Sequence, residues 1–288
     1  MPQIIAVDGG NYRTKIVHAR GYDSFSSAIG EWNNRKAGDI HSSEDMEFHI
    51  INKYDNIKGF AGPLASLESE YGGSMYGTSK NHEDARIRIL LGIARNLRDF
   101  TINVIVGQPY TSHTDNEKKE IIQSLKGDHQ VTINGKLKEF HIANVLVGIE
   151  GAMAFWSQPK DGAVNLIDVG SGTVNCIHFL NKRIVDRKSD TLPFGSETSK
   201  TTVNFEGMAN AVFKNMSKSW NKNDTTLLCG GSAKMILDPL KKYYPHIQLI
   251  EPKIIISDSV STAISTEYSN AAGMYQVAVK AFAQLQTS

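Results

Sequence analysis

Cysteine is nearly missing from this chain of 288 residues: Cys176 and Cys229 stand 53 positions apart, both inside apolar runs, with no CxxC pair. That excludes a disulfide framework as the organising principle and predicts buried thiols in a reducing compartment. The nine histidines show no HxxxH or HExxH spacing, so a structural metal has no support. Charge of one sign is also missing. Lys+Arg 31 against Asp+Glu 30 gives a net +1, too weak a field to hold a nucleic-acid backbone or an anionic bilayer. Any link to DNA is expected to be indirect, with no direct nucleic-acid contact. The longest apolar runs, residues 87–94 and 142–149, fall short of the roughly 20 residues a membrane span needs. The N-terminus enters a strand-like run without the basic, apolar, cleavage-site order of a leader, so a cytoplasmic location and no membrane contact are expected. No GxxxxGK[ST] occurs, which excludes a P-loop, and Asn175 stands where a dinucleotide fingerprint starting at Gly170 needs its third glycine.

What is there is ordinary globular material, 40% hydrophobic and 21% charged with a mean hydropathy of −0.29. The length is about twice the ~150 residues of one domain, so two domains or one divided domain is expected. Residues 4–7, a turn at Asp8 to Arg13 and residues 14–19 read as a β-hairpin. The same grammar returns 160 positions later, where VNLI runs into Asp168 to Thr173 and then VNCIHFL, with an Asn181-Lys182 turn before RIVD. Two related halves follow from the repeat. Ile87, Leu90, Leu91, Ala94 and Leu97 carry helical period behind Asn81, read as the N-cap. TINVIVG at 101–107 reads as a buried strand. Thr114-Asp-Asn-Glu117 has the form of a capping box that opens a helix through Leu125. Asn134-Gly135 predicts a tight hairpin, and residues 143–148 a closing strand. Phe205, Ala209, Val212, Met216 and Trp220 share one helical face, as do Met274, Ala278, Ala281 and Leu285. The fold class is α/β. Residues 30–80, polar and Gly-rich with short β runs, read as a small inserted subdomain.

Five loops carry the candidate chemistry. In Asp8-Gly9-Gly10-Asn11-Tyr12-Arg13-Thr14-Lys15 the glycines let backbone approach an anion closely, and Lys15 can reach back as a cation. Asp8 cannot bind phosphate but can hold Mg²⁺ through waters, since that ion parts with its hydration reluctantly. Asp168-Val169-Gly170-Ser171-Gly172-Thr173 repeats the arrangement. Such a pair facing across a cleft would clamp a Mg-nucleotide; either loop alone is equally a tight hairpin. Leu227 to Ala233, with Gly230, Gly231 and Ser232, lets a flat base or ribose phosphate lie on backbone, or is an ordinary strand-to-helix turn. Glu150-Gly151-Ala152 places a carboxylate at a strand–helix junction, where a solvated helix-start Glu is the plain alternative. Ser269 to Gly273 reads as a hinge or a close-packed crossover.

Taken in order, DGGNYRTK, IEGAMA, DVGSGTVN, LLCGGSA and NAAGM resemble the phosphate 1, connect 1, phosphate 2, adenosine and connect 2 motifs of the actin, Hsp70 and sugar-kinase superfamily. The resemblance spans nearly the whole chain. Within that superfamily the Asn134-Gly135 hairpin and the EGA of connect 1 look like the bacterial actin-like proteins of plasmid segregation, the ParM and AlfA group. It implies an actin-like, ribonuclease H-like duplicated fold around a nucleotide cleft. Domain I would hold residues 1–148 and 275–288, and domain II residues 149–274. The resemblance also implies ATP or GTP with Mg²⁺ as cofactors. Asp8 and Asp168 would order the Mg²⁺ waters; Gly9, Gly10, Asn11, Lys15, Gly170, Ser171, Gly172 and Thr173 would surround the phosphates. Glu150 would position the attacking water, and Gly230, Gly231 and Ser232 would approach the nucleoside. The implied partners are further copies of the chain in a polar filament and a DNA-binding adaptor on a plasmid centromere. One departure is informative: only 62 positions separate Asp168 from Gly230, which leaves no room for the fourth subdomain (IIB) normally inserted there and points to the AlfA-like members. The alternative is a small-molecule kinase of the same superfamily, similar to type III pantothenate or sugar kinases, for which the chain offers no clear acceptor-binding motif.

Overall fold

The computed structural model describes residues 2–36, 38–74, 79–198, 203–257 and 260–284, and its chain divides into two compact units. One unit comprises Met1–Gln108, Ser112–Val147 and Ala278–Ser288; the other comprises Pro109–Thr111 and Gly148–Val277. The first unit is built on β1 (Gln3–Gly9), β2 (Arg13–His18), β3 (Gly21–Ser26), β4 (Ile29–Glu31), β5 (Met46–Asn52), β6 (Asn56–Ala61), β7 (Thr101–Gln108), β8 (Gly127–Ile133) and β9 (Lys136–Ile149), with α1 (Pro63–Glu68), α2 (Glu83–Arg95) and α3 (Asp115–Leu125). All nine strands join one sheet in the order β3-β2-β1-β7-β9-β8-β5-β6-β4. Strands β5 and β6, which fall inside the 30–80 span, therefore extend the main sheet through the β5–β8 ladder, with Phe48 opposite Ile133.

Local chemistry explains most of these elements. Asn134 and Gly135 both have positive φ, 49° and 75°, which suits the right-handed strand twist of β8 and β9. The strand expected at 143–148 is the far end of a single 14-residue β9. Thr114 caps α3, its hydroxyl accepting from Glu117 N at 3.3 Å, but Glu117 does not complete a capping box. Its carboxylate instead accepts from Ser79 Oγ at 2.7 Å and Gln108 Nε2 at 3.0 Å. At α2 the N-cap is His82, whose Nδ1 accepts from Ala85 N at 3.2 Å, whereas Asn81, the expected cap, donates its amide to Glu120. Helix α2 is buried nearly all round, Ile89 and Ile93 as well as the predicted Ile87, Leu90, Leu91 and Ala94, so its periodic stripe understates the burial. Leu97 falls past the helix end and packs partly buried against the same core.

The second unit holds β10 (Ala163–Val169), β11 (Val174–Leu180), β12 (Arg183–Ile184), β13 (Asp190–Leu192), α4 (Phe205–Met216), β14 (Thr225–Cys229), α5 (Ala233–Lys241), β15 (Ile247–Leu249), β16 (Lys253–Ser257), β17 (Val260–Ala263) and α6 (Ser269–Gln284), the last crossing into the first unit's segment. Its main sheet runs β12-β11-β10-β14-β15 with β13 also on β11, while β16 and β17 form a separate ribbon. In α4 the predicted face buries Ala209, Val212 and Met216; Trp220 lies beyond the helix end and donates Nε1–H to Lys188 O at 2.7 Å. On α6, Met274 and Ala278 are buried as expected and Phe282 takes the next place, while Leu285 lies outside the described residues. Between β13 and β14 the described residues contain one helix, α4.

Four histidines, His18, His82, His129 and His178, have their pKa pushed below the ordinary 6.5, burial being the largest cause in each. The neutral ring is thus the form the folded state favours, and His82 needs it to cap α2. As pH falls below about 6.5 the unfolded chain takes up protons that the folded chain refuses, so stability declines with acidity in that window. Melting temperatures followed from about pH 8 to about pH 5 are expected to fall below pH 6.5, and a flat profile there would contradict this.

Candidate functional site

In the first unit the hairpin of β1 and β2 sets Asp8 opposite Lys15 and Gly9 opposite Thr14. Asp8 is buried, and Lys15 Nζ lies 3.8 Å from its Oδ2, so the ammonium offsets part of the cost of burying the carboxylate. The loop between them is tightly held. A Cβ on Gly10 would stand 2.6 Å from Arg13 O, which excludes larger residues there. Ser27 donates Oγ–H to Gly10 O at 2.6 Å and its backbone N–H to Tyr12 O at 3.0 Å, fixing the turn from outside. By contrast, a Cβ on Gly9 would meet nothing within 4 Å, so protein packing does not account for that glycine and space remains for an approaching group.

A second cation reaches this loop. Lys80 is buried and donates from Nζ to Asn11 Oδ1 at 2.7 Å. Its backbone N–H is anchored on Gln108 Oε1 at 2.8 Å, at the end of β7. Among the described residues no carboxylate forms an ion pair with Lys80, and a neutral amide oxygen compensates a buried ammonium only in part. The loop after β1 therefore has two ammonium groups beside it, Lys15 near Asp8 and Gly10 and Lys80 on Asn11, an electrostatic setting that favours an anion.

The second unit repeats the hairpin with β10 and β11, pairing Asp168 with Asn175 and Val169 with Val174. Ser196 and Glu197 donate backbone N–H to Gly170 O at 3.1 Å and Ser171 O at 2.8 Å. Because a trans peptide points its C=O and the following N–H in opposite directions, the N–H groups of Ser171 and Gly172 face away from that segment. Gly170 N closes the loop on Thr173 O at 3.0 Å. Gly230, with φ of 102°, follows β14; a Cβ there would lie 2.3 Å from Val169 O and 2.8 Å from Asp168 Oδ1. Only glycine lets these two loops touch. Gly231 has open space around its Cβ position, and Ser232 is buried at the start of α5.

Asp168 is buried, and its partners include Asn270 Nδ2, which donates to Oδ2 at 2.9 Å, and Cys229 Sγ, which donates to Oδ1 at 3.5 Å. These two contacts orient the carboxylate. Glu150 directly follows β9, and the junction leads into a 3-10 turn, Ala152–Ser157, and not into an α-helix. Gly151 has φ of 84°, and a Cβ on it would stand 2.7 Å from Asn175 Cβ, so the turn after Glu150 presses on the hairpin that carries Asp168. Thus Glu150, Asp168, Gly170 and Gly230 are gathered by contacts of the second unit, while Asp8, Gly10, Asn11 and Lys15 are gathered in the first. Among the described residues no cluster of three or more His, Cys, Asp or Glu could cage a metal ion. Each unit has one buried carboxylate at its hairpin, Asp8 or Asp168, the oxygen-donor type that a hydrated Mg²⁺ takes when it keeps most of its waters. Sequence reasoning missed Lys80, Gln108 and Asn270 as site residues; only Asn270 stood within a motif, the SNAAG read as a hinge.

The chain matches the family of actin-like proteins, N-terminal domain, over residues 6–152. A search of curated proteins finds no match. Among solved structures, AlfA from a B. subtilis plasmid, in its filament, is 21% identical and superposes with a TM-score of 0.73 over 94% of this chain and 97% of that one. An AlfA filament bound to AMPPNP is 20% identical, with a TM-score of 0.74 over 99% of each chain. A 15-stranded ParM filament from Clostridium botulinum is 18% identical, with a TM-score of 0.76 over 97% of this chain and 99% of that one. With the mixed α/β sheets and the two acid-ended hairpins, these findings bear out the expected actin-like fold. The chain belongs to the actin-like protein family.

Proposed function

We propose that this chain is a nucleotide-dependent, filament-forming protein that hydrolyses ATP or GTP and moves plasmid DNA through a DNA-bound adaptor. The observation that carries the reading is the duplicated hairpin, in which a buried Asp closes a strand before a glycine-bearing turn in both units. In this reading Asp8 and Asp168 hold the waters of Mg²⁺, which when bound neutralises charge on the β- and γ-phosphates. Gly9, Gly10, Asn11, Gly170, Ser171, Gly172 and Thr173 line the phosphates, with Lys15 and Lys80 as cations. Gly230, Gly231 and Ser232 lie along the nucleoside, and Glu150 orients the attacking water. Hydrolysis inside the filament then weakens the contacts between copies. The resemblance of the fold to AlfA and ParM filaments supports assembly, and the near-neutral net charge agrees with reaching DNA through an adaptor.

Ultracentrifugal pelleting with ATP, GTP or no nucleotide tests it. Pelleting is expected with either triphosphate, because the short span between Asp168 and Gly230 removes one wall of a base pocket, and a hydrogen-bonding wall is what gives strong discrimination. Filaments with only one of the two over a wide concentration range would contradict the modest selectivity. No nucleotide-dependent pelleting, together with phosphate transfer to a small acceptor, would favour a kinase.

A further inference from the structure

Asn270 opens α6 and is buried, and its side chain makes three hydrogen bonds that no local sequence pattern announces. Its Oδ1 accepts the backbone N–H of Gly151 at 3.0 Å and of Ala154 at 3.1 Å. Backbone N–H groups only donate, so the atom facing them is the oxygen and the amide orientation is forced. Nδ2 must then be the atom 2.9 Å from Asp168 Oδ2, which acts there as an acceptor. One rigid, planar amide thus joins the Asp168 carboxylate to the turn that begins at Glu150. Close packing restrains it. One helical turn along, a Cβ on Gly273 would overlap Met153 O, so α6 lies directly on the same 3-10 turn.

We infer that Asn270 is a positioning residue for nucleotide hydrolysis, fixing the Asp168 carboxylate and the Glu150 turn in one relation; this rests on the reading proposed above. The amide holds the Asp168 carboxylate in one orientation. At its other end it satisfies two N–H groups of the turn and so sets where the Glu150 backbone stands. A group in this position affects the metal requirement and the turnover together. A residue that merely capped the turn would affect stability alone.

The test compares wild type with Asn270→Asp and Asn270→Ala, reading phosphate release against Mg²⁺ concentration and thermal melting on the same samples. Asn270→Asp preserves shape and both bonds to backbone N–H but sets oxygen against Asp168 oxygen, so it separates folding from positioning. Both variants are expected to shift the half-saturating Mg²⁺ concentration and to lower kcat, each by about tenfold or more, with Asn270→Asp still folding cooperatively but melting below wild type because two buried carboxyl groups then face each other. A folded Asn270→Asp protein with wild-type kcat and Mg²⁺ dependence overturns the inference, as does failure of both variants to fold. If wild type itself neither binds nor hydrolyses nucleotide, the parent reading falls and this one with it; an active wild type beside unaltered variants sinks this one alone.

Discussion

Asp168→Ala is expected to abolish Mg²⁺-dependent hydrolysis of ATP and GTP and, with it, the turnover of filaments. The carboxylate is buried and aimed by Asn270 and Cys229, so no neighbouring residue can take its place without moving β10 or α6. If it holds the hydrated metal, its removal forfeits several kcal/mol of charge stabilisation in the transition state, which is a rate loss of about 10³-fold or more. The variant also strands the Asn270 amide in the interior, at a cost of about 1–3 kcal/mol, so melting has to be measured beside activity. Asp168→Asn keeps the shape and serves as the control for folding. A folded variant that hydrolyses either nucleotide at the wild-type rate would show that the metal is held elsewhere.

Glu150→Ala is expected to separate assembly from hydrolysis. Glu150 directly follows β9, just before a turn whose geometry Gly151, Asn175 and Asn270 determine, so its placement is precise although it belongs to no helix. A group that orients or deprotonates the attacking water acts mainly in the transition state and contributes little to binding the ground-state nucleotide. The variant should therefore bind nucleotide and pellet normally, yet release phosphate at least ~10²-fold more slowly. Its filaments should persist, because the nucleotide state that favours disassembly is reached late. If Glu150 were only an exposed acid at a turn, hydrolysis would be normal and stability would change by about 1 kcal/mol or less. Phosphate release and light scattering on one sample distinguish the two, and normal release by the folded variant ends the catalytic assignment.

Features that depend on neighbours in sequence were legible before the structure. Asn134-Gly135, the Thr114 cap, and the two hairpins at Asp8 and Asp168 follow from turn chemistry, capping and alternation, and all occupy their expected places. Tertiary contacts decided the rest. Asn81 is a good cap by type, but Glu120 on α3 takes its amide and His82 caps in its stead. Glu117 is drawn from its capping box by Ser79 and Gln108. Residues 30–80 read as a small inserted subdomain because their strands are short and polar, and the pairing of β5 with β8, across about 80 positions, is a link that no local pattern announces. Lys80 meets Asn11 across 69 positions and Asn270 meets Asp168 across 102, distances at which no periodicity or spacing rule operates.

Helix α6 contributes to both units: it starts at Ser269 within the second and ends, from Ala278 onward, within the first. During synthesis the first unit's sheet can begin to pair as soon as β1 to β9 have left the ribosome, but that unit lacks the α6 segment until the second unit has been made. The second unit must therefore be translated in full while the first waits incomplete, a delay of several seconds to about half a minute at ordinary elongation rates of about 5–20 residues per second. Over that interval the nascent first unit exposes whatever surface α6 later covers, which makes it a natural client for chaperones that bind apolar surface on ribosome-bound chains.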